Sequence, residues 1–151
     1  MNSSQKTIEQ MLKVALATAI NHFDYYQRAA EKVKTPKVKA LLMVLAESEE
    51  ELIDRIEDML ATGILEEIES VLESAELNET PNPTPFDLQR AETDPRLFAC
   101  NKALEQEVKA YNYFLSLAVR MKTDLVSRLF EYFASRKAAQ IEDIRRVCSS
   151  F

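Results

Sequence analysis

The chain has 151 residues, of which 46% are apolar and 29% charged, with one Gly, five Pro and a formal net charge of −6. That length favours one domain with a real core, and a single Gly excludes phosphate-binding glycine loops and leaves few tight turns. Acids and bases are interspersed, with no basic patch interleaved with aromatics, which argues against nucleic acid and anionic lipid as partners. No apolar run approaches the ~18 residues needed to span a bilayer.

The N-terminus "MNSSQKTIEQ" runs straight into an amphipathic pattern, unlike a signal peptide. Cys100 and Cys148 are far apart and form no CxxC pair. A reduced, cytoplasmic protein is the expectation. The two cysteines flank the open end of one helical hairpin, so a disulfide between them is an alternative, with buried thiols the expected state.

Four long periodic segments follow one another, each with the three-four spacing of a helix that buries one face. The first runs from about 5 to 34, with Ile8, Leu12, Ala15, Ala19, His22, Tyr26, Ala29 and Val33 inward. The second runs from about 36 to 61. Thr35 is its expected N-cap, Pro36 its first residue and Gly63 its stop, and it turns Leu41, Leu45, Glu49, Leu52, Ile56 and Met59 inward. From about 62 to 94 lies a connection. "ILEEIESVLESAEL" is amphipathic enough for a short helix, and "NETPNPTPFD" holds three prolines and cannot continue one.

The third helix is expected over about 95–122, opened by Asp94-Pro95, with Ala103, Glu107, Ala110, Phe114, Leu117 and Met121 inward. The fourth covers about 124–148, with Val126, Phe130, Phe133, Lys137, Gln140, Ile144 and Val147 inward. A shift of 88 residues superposes the two halves without a gap. Ala15, Leu16, Ala30, Lys34, Thr35, Val38, Leu41, Ala46, Ile53 and Ile56 recur as Ala103, Leu104, Ala118, Lys122, Thr123, Val126, Leu129, Ala134, Ile141 and Ile144. This is a duplicated helical hairpin. Short turns make each pair antiparallel, and a helix of ~25 residues is ~38 Å long. The long connection must therefore run the length of the bundle. The expected fold is all-α, a single four-helix bundle over 1–151 with one long crossover.

Each inward stripe is interrupted near its middle: His22, Glu49, Glu107, and Lys137 with Gln140. Alone, each could be satisfied in the core or snorkel outward. Five at one height point to a shared buried polar centre.

The segments "FDYYQRAAEKVKTPKVKALLMVLAESEEELIDRIEDML" and "LFEYFASRKAAQIEDI" resemble the rubrerythrin-type branch of the ferritin-like superfamily. The resemblance extends over all four main helices. It implies a di-iron site with one Glu from each of the first and third helices and a Glu-x-x-His pair from each of the second and fourth. By position, Glu49 and Glu107 are kept. Ala19 stands at the first-helix Glu position and Leu52 at the second-helix His position. Lys137 and Gln140 replace the fourth-helix Glu and His.

The resemblance thus implies a degenerate di-iron site, with Lys137 set against Glu49 or Glu107 where metal charge would otherwise balance the carboxylates. If His22 is neutral, one carboxylate should hold a proton or be hydrated.

The expectation is a non-catalytic scaffold or binding protein, more a binder than an enzyme, with no cofactor and no catalytic residue. The alternatives are a single iron or other divalent metal held by His22, Glu49 and Glu107, or a rubrerythrin-like iron or peroxide oxidoreductase. The latter lacks most ligands and, in this chain, any four-cysteine electron entry. Serine or cysteine catalysis lacks a base, because the only His lies on a different helix from both cysteines. Tyr25 and Tyr113 hold matching places in the two halves, and with the resemblance they suggest a homodimer through the first and third helices.

Overall fold

The computed structural model describes residues 3–63, 80–121 and 124–151, with side chains described from residue 8 and, in the last segment, from residue 125. The expected helix in "ILEEIESVLESAEL" and the Lys122-Thr123 turn lie outside the described residues. Five α-helices and no strand occur among those described: α1 Ser3–Lys32, α2 Pro36–Thr62, α3 Leu88–Ala91, α4 Pro95–Arg120 and α5 Asp124–Cys148. None is long and apolar enough to cross a membrane.

Helix boundaries follow local chemistry. α1 stops two residues before the expected end, because Thr35 precedes a proline and takes an extended conformation (φ −76°, ψ 118°). Thr35 holds the N-cap position of α2 but its side chain makes no capping bond. Asp94 does: its carboxylate accepts from the Arg96 amide at 2.9 Å, opening α4 ahead of Pro95. Gly63, with φ 110°, ends α2 in a conformation that side-chain-bearing residues rarely adopt. α4 ends at Arg120, where Met121 turns extended. The Ala118 carbonyl accepts from the Met121 amide and, at 2.8 Å, from the Ser127 hydroxyl.

α1 packs along α2 and α4 along α5, and the two hairpins meet chiefly through α2 and α5. Helix directions follow from who meets whom. Leu12 and Ala15 share a cluster with Ile56 and Met59, whereas Tyr26 and Ala30 share one with Val38 and Leu41, so α1 and α2 are antiparallel. Phe114 and Leu117 meet Val126 and Leu129, while Cys100 meets Cys148, so α4 and α5 are antiparallel as well. The Tyr113 hydroxyl donates to the Met11 carbonyl at 3.2 Å, placing the end of α4 beside the start of α1.

The core is two apolar blocks, one toward each end. The first is built on Leu12, Ile56 and a trio of Phe114, Phe130 and Phe133 with ring centroids 5.3–6.4 Å apart. The second is built on Tyr26, Leu42, Leu45, Leu104, Ile141 and Ile144. Each fully buried large side chain contributes roughly 1.5–3 kcal/mol. Between the blocks, buried Glu49, Glu107, Lys137 and Gln140 form a polar layer.

The returning chain is fastened at the second block's end. Asn101 brackets Phe86, donating to its carbonyl (3.2 Å) and accepting from its amide (2.8 Å). Arg145 donates to the Asn82 carbonyl at 2.9 Å and lies 5.0 Å from the Phe86 ring centre. The Arg90 guanidinium donates to the Phe151 carbonyl at 2.8 Å.

The expected buried thiols are instead a disulfide. Cys100 and Cys148 are bonded, with Cα atoms 6.2 Å apart and both residues 1% exposed. The bridge ties the first turns of α4 to the last turn of α5, at the open end of their hairpin. It closes a loop of 48 residues, which constrains the unfolded chain. Replacing both cysteines with Ala should lower stability by about 2–4 kcal/mol, read from urea midpoints. A reducing agent should bring the parent protein down toward the variant.

Candidate functional site

Three of the polar residues anticipated from the sequence meet directly. The Lys137 ammonium on α5 donates to Glu49 Oε1 on α2 and, at 3.3 Å, to Glu107 Oε1 on α4. All three side chains are essentially buried, at 3%, 1% and 0% exposure, so the charges stand where water cannot compensate them. Glu107 takes a second bond at its other oxygen, from the Tyr26 hydroxyl on α1 at 2.8 Å. One hydrogen-bonded chain therefore runs from α1 through α4 and α5 to α2.

Tyr26 belongs to the apolar stripe of the first helix, with no expected part in the centre. The available signal was its alignment with Phe114 under the 88-residue shift: the two differ only by a hydroxyl. A buried tyrosine hydroxyl needs a partner.

Gln140, also buried, does not join the centre by a hydrogen bond, and its Oε1 has no partner. It faces a hollow between α2 and α5 of about 180 Å³ that Leu52 and Lys137 also line. His22 is only partly buried, and its Nδ1 lacks a hydrogen-bond partner. Even so, one ring nitrogen lies within 4.8 Å of carboxylate oxygens of both Glu49 and Glu107. The imidazole thus borders the centre from α1 without bonding to it.

The electrostatics assign protons. Burial drives the Glu49 carboxyl up to about 8, against the pull of Lys137 and with added repulsion from Glu107. Burial also opposes charge on Lys137, but Glu107 and Glu49 outweigh it and hold the ammonium above its ordinary value. His22 is lowered, first by burial, with Glu107 opposing and Lys137 and Lys109 reinforcing the fall. Burial, then Glu107, raises the Tyr26 hydroxyl well above its usual range. At neutral pH Glu49 is largely protonated and the His22 imidazole neutral, beside the Lys137 ammonium.

Such a layer is consequential for folding. Removing one member of a buried ion pair typically costs about 3–5 kcal/mol, because the remaining charge is left without a partner. Ion pairs such as Arg28–Asp24 and Lys109–Glu105 are exposed contacts along one helix, worth a fraction of that.

No family model, curated protein or solved structure matches the chain. Its chemistry has to be read from these side chains.

Because Glu49 is raised when folded, its contribution to stability is complete below its ordinary value of 4.5 and is lost as pH rises through about 8. His22 works in the opposite direction, but only below its ordinary value of 6.5. Between pH 6.5 and 8 the Glu49 effect therefore stands alone within the centre. Urea midpoints of Glu49→Gln should be flatter over that window than those of the parent. The variant should gain relative to the parent toward pH 8, by on the order of 1 kcal/mol or more. Parallel profiles would mean Glu49 is ionised throughout.

Proposed function

We propose that this chain is a metal-free helical bundle of the ferritin-like, rubrerythrin-type group, acting as a non-catalytic scaffold or binding protein. The observation that carries the reading is the Lys137 ammonium bonded to both Glu49 and Glu107. The helix order and antiparallel pairing, with a long connection between two duplicated hairpins, support the fold assignment. In that group, carboxylates at these heights hold two iron ions. Here a fixed side-chain cation neutralises them, and Ala19, Leu52, Lys137 and Gln140 supply no ligand of the required kind. The residues present do not fit a di-iron centre, and no peroxide or oxygen chemistry is assigned to it.

A single-metal reading has one observation in its favour, the approach of His22, Glu49 and Glu107 to within 4.8 Å of one another. Lys137 counts against it, since its ammonium would be repelled by a cation at the same carboxylates. Protonation of Glu49 counts against it too, because a ligand carboxyl must first lose its proton.

The group's habit of pairing, and the open seam where α1 touches α4 only lightly, support a homodimer through α1 and α4. Val14 and Ile20 on α1, and Phe98 and Val119 on α4, are exposed. Tyr25 packs edge-on against Tyr26, and Tyr113 bonds to α1 of its own chain, so both are peripheral core as well. Sedimentation equilibrium should give twice the chain mass, and Phe98→Glu with Val119→Glu should return it to one. A parent that sediments as a monomer ends the dimer proposal.

The proposed location is cytoplasmic. A disulfide persists poorly in a glutathione-reduced compartment, so this placement relies on the burial of both cysteines, which restricts attack by a thiolate.

Protein expressed in medium supplemented with iron, manganese and zinc should contain no stoichiometric metal by elemental analysis. Lys137→Glu with Gln140→His should acquire measurable metal affinity, since it restores a carboxylate and an imidazole to the layer. One or two metals per chain in the parent would overturn the reading.

A further inference from the structure

The duplicated halves do not fill their interiors equally. Ala19 on α1 corresponds, under the shift of 88 residues, to Glu107 on α4, and Ala110 on α4 corresponds to His22 on α1. The small members of these two pairs, Ala19 and Ala110, border the same space, and a gap remains there. A half-open cavity of about 230 Å³ lies between α1 and α4, walled by Ala15, Ala19, Ala110 and Phe114. An apolar protein cavity of about 150 Å³ is known to hold benzene, so this one has room for a ring and a substituent.

Its polar end is the centre itself: His22, Glu49 and Lys137 all line it. Two atoms of these residues lack partners, Glu49 Oε2 and His22 Nδ1, and the Glu49 side chain is 1% exposed. Buried polar atoms without partners are costly. A carboxyl oxygen accepts and an imidazole N–H donates, and one hydroxyl can answer both. The one ammonium is already shared between Glu49 and Glu107, so an anionic ligand would find no free counter-charge.

We propose that this cavity is a binding site for a small neutral molecule with an apolar, ring-sized body and one hydroxyl, the hydroxyl meeting Glu49 Oε2 and His22 Nδ1. The proposal rests on the metal-free reading above and names the class of ligand for that centre.

Phenol is the probe. His22 is the only histidine, so its ring C–H signals in an NMR titration of the full chain report on the site without ambiguity. Phenol should shift them saturably, and toluene, with a methyl in place of the hydroxyl, should bind about tenfold more weakly. Ala19→Leu should fill the cavity and abolish the phenol response while keeping the helical circular dichroism of the parent. Ala15→Val, a smaller intrusion, should weaken binding and serves if the leucine variant does not fold.

No saturable shift of the His22 signals overturns the proposal. So does unchanged phenol affinity in a folded Ala19→Leu or Ala15→Val variant, which would place the probe elsewhere, for instance in the cleft bordered by Tyr25, Lys32 and Phe98. Toluene binding as tightly as phenol overturns the hydroxyl's role. Metal content measured on the same sample separates the two readings. A metal-free protein that ignores phenol loses only the cavity, whereas stoichiometric metal removes the metal-free reading on which it stands.

Discussion

A single ammonium group shared between two buried carboxylates is the constraint around which the other parts are arranged. Lys137 reaches Glu49 across the α2–α5 contact and Glu107 on its own hairpin partner, so the layer can form only when both hairpins are in register. Apolar packing above and below is less discriminating, since methyl and methylene contacts tolerate sliding at modest cost. A buried charge does not. Displaced by one helical turn, the ammonium would face an apolar block and the carboxylates would face each other. Such interactions serve to specify an arrangement at least as much as to stabilise it.

The same layer explains why the site's charges are quieter than its residue list suggests. Three formally charged groups and an imidazole occupy the middle of the bundle, yet burial raises the Glu49 carboxyl and lowers the imidazole, so both favour their neutral forms. The tyrosine hydroxyl from α1 completes Glu107. Among the described residues, the polar side-chain atoms left unsatisfied belong to Glu49 and His22, which border the α1–α4 cavity, and to Gln140, which faces its own hollow. Reactivity and binding are therefore to be sought at those two openings rather than in the ion pair between them.

Much of this was legible before any coordinates. The stripes of Leu12, Leu45, Phe114 and Phe130 gave the helices and their inner faces, and the run of matches from Ala15 to Ile56 gave the repeated hairpin. The polar interruptions gave Glu49, Glu107 and Lys137, because charge on an apolar stripe is expensive and its cost marks it. Other features left no such trace. The pairing of Cys100 with Cys148 depends on a distance between chain segments that no local pattern encodes. The part played by Tyr26 hung on one hydroxyl within an otherwise apolar stripe. Gln140 lay on the right face but points to a hollow, since a rotation of a few tens of degrees about the helix axis separates the two outcomes. The docking of Phe86 by Asn101 and Arg145 used side chains from outside every stripe.

Glu49 and Lys137 are each other's counterparts under the internal repeat, separated by the 88 residues of its period. A residue that touches its own counterpart sits on the repeat's pseudo-twofold axis, and there the two halves meet as in a symmetric dimer. With one acid and one base, the Lys137 ammonium finds an acceptor across the axis. Two copies of the second hairpin would bring Lys137 against Lys137, and two copies of the first would leave both Glu49 carboxyls without an ammonium. The axis thus joins a donor to an acceptor. It gives each hairpin a reason to choose the other within its own chain over an identical hairpin from a neighbouring molecule.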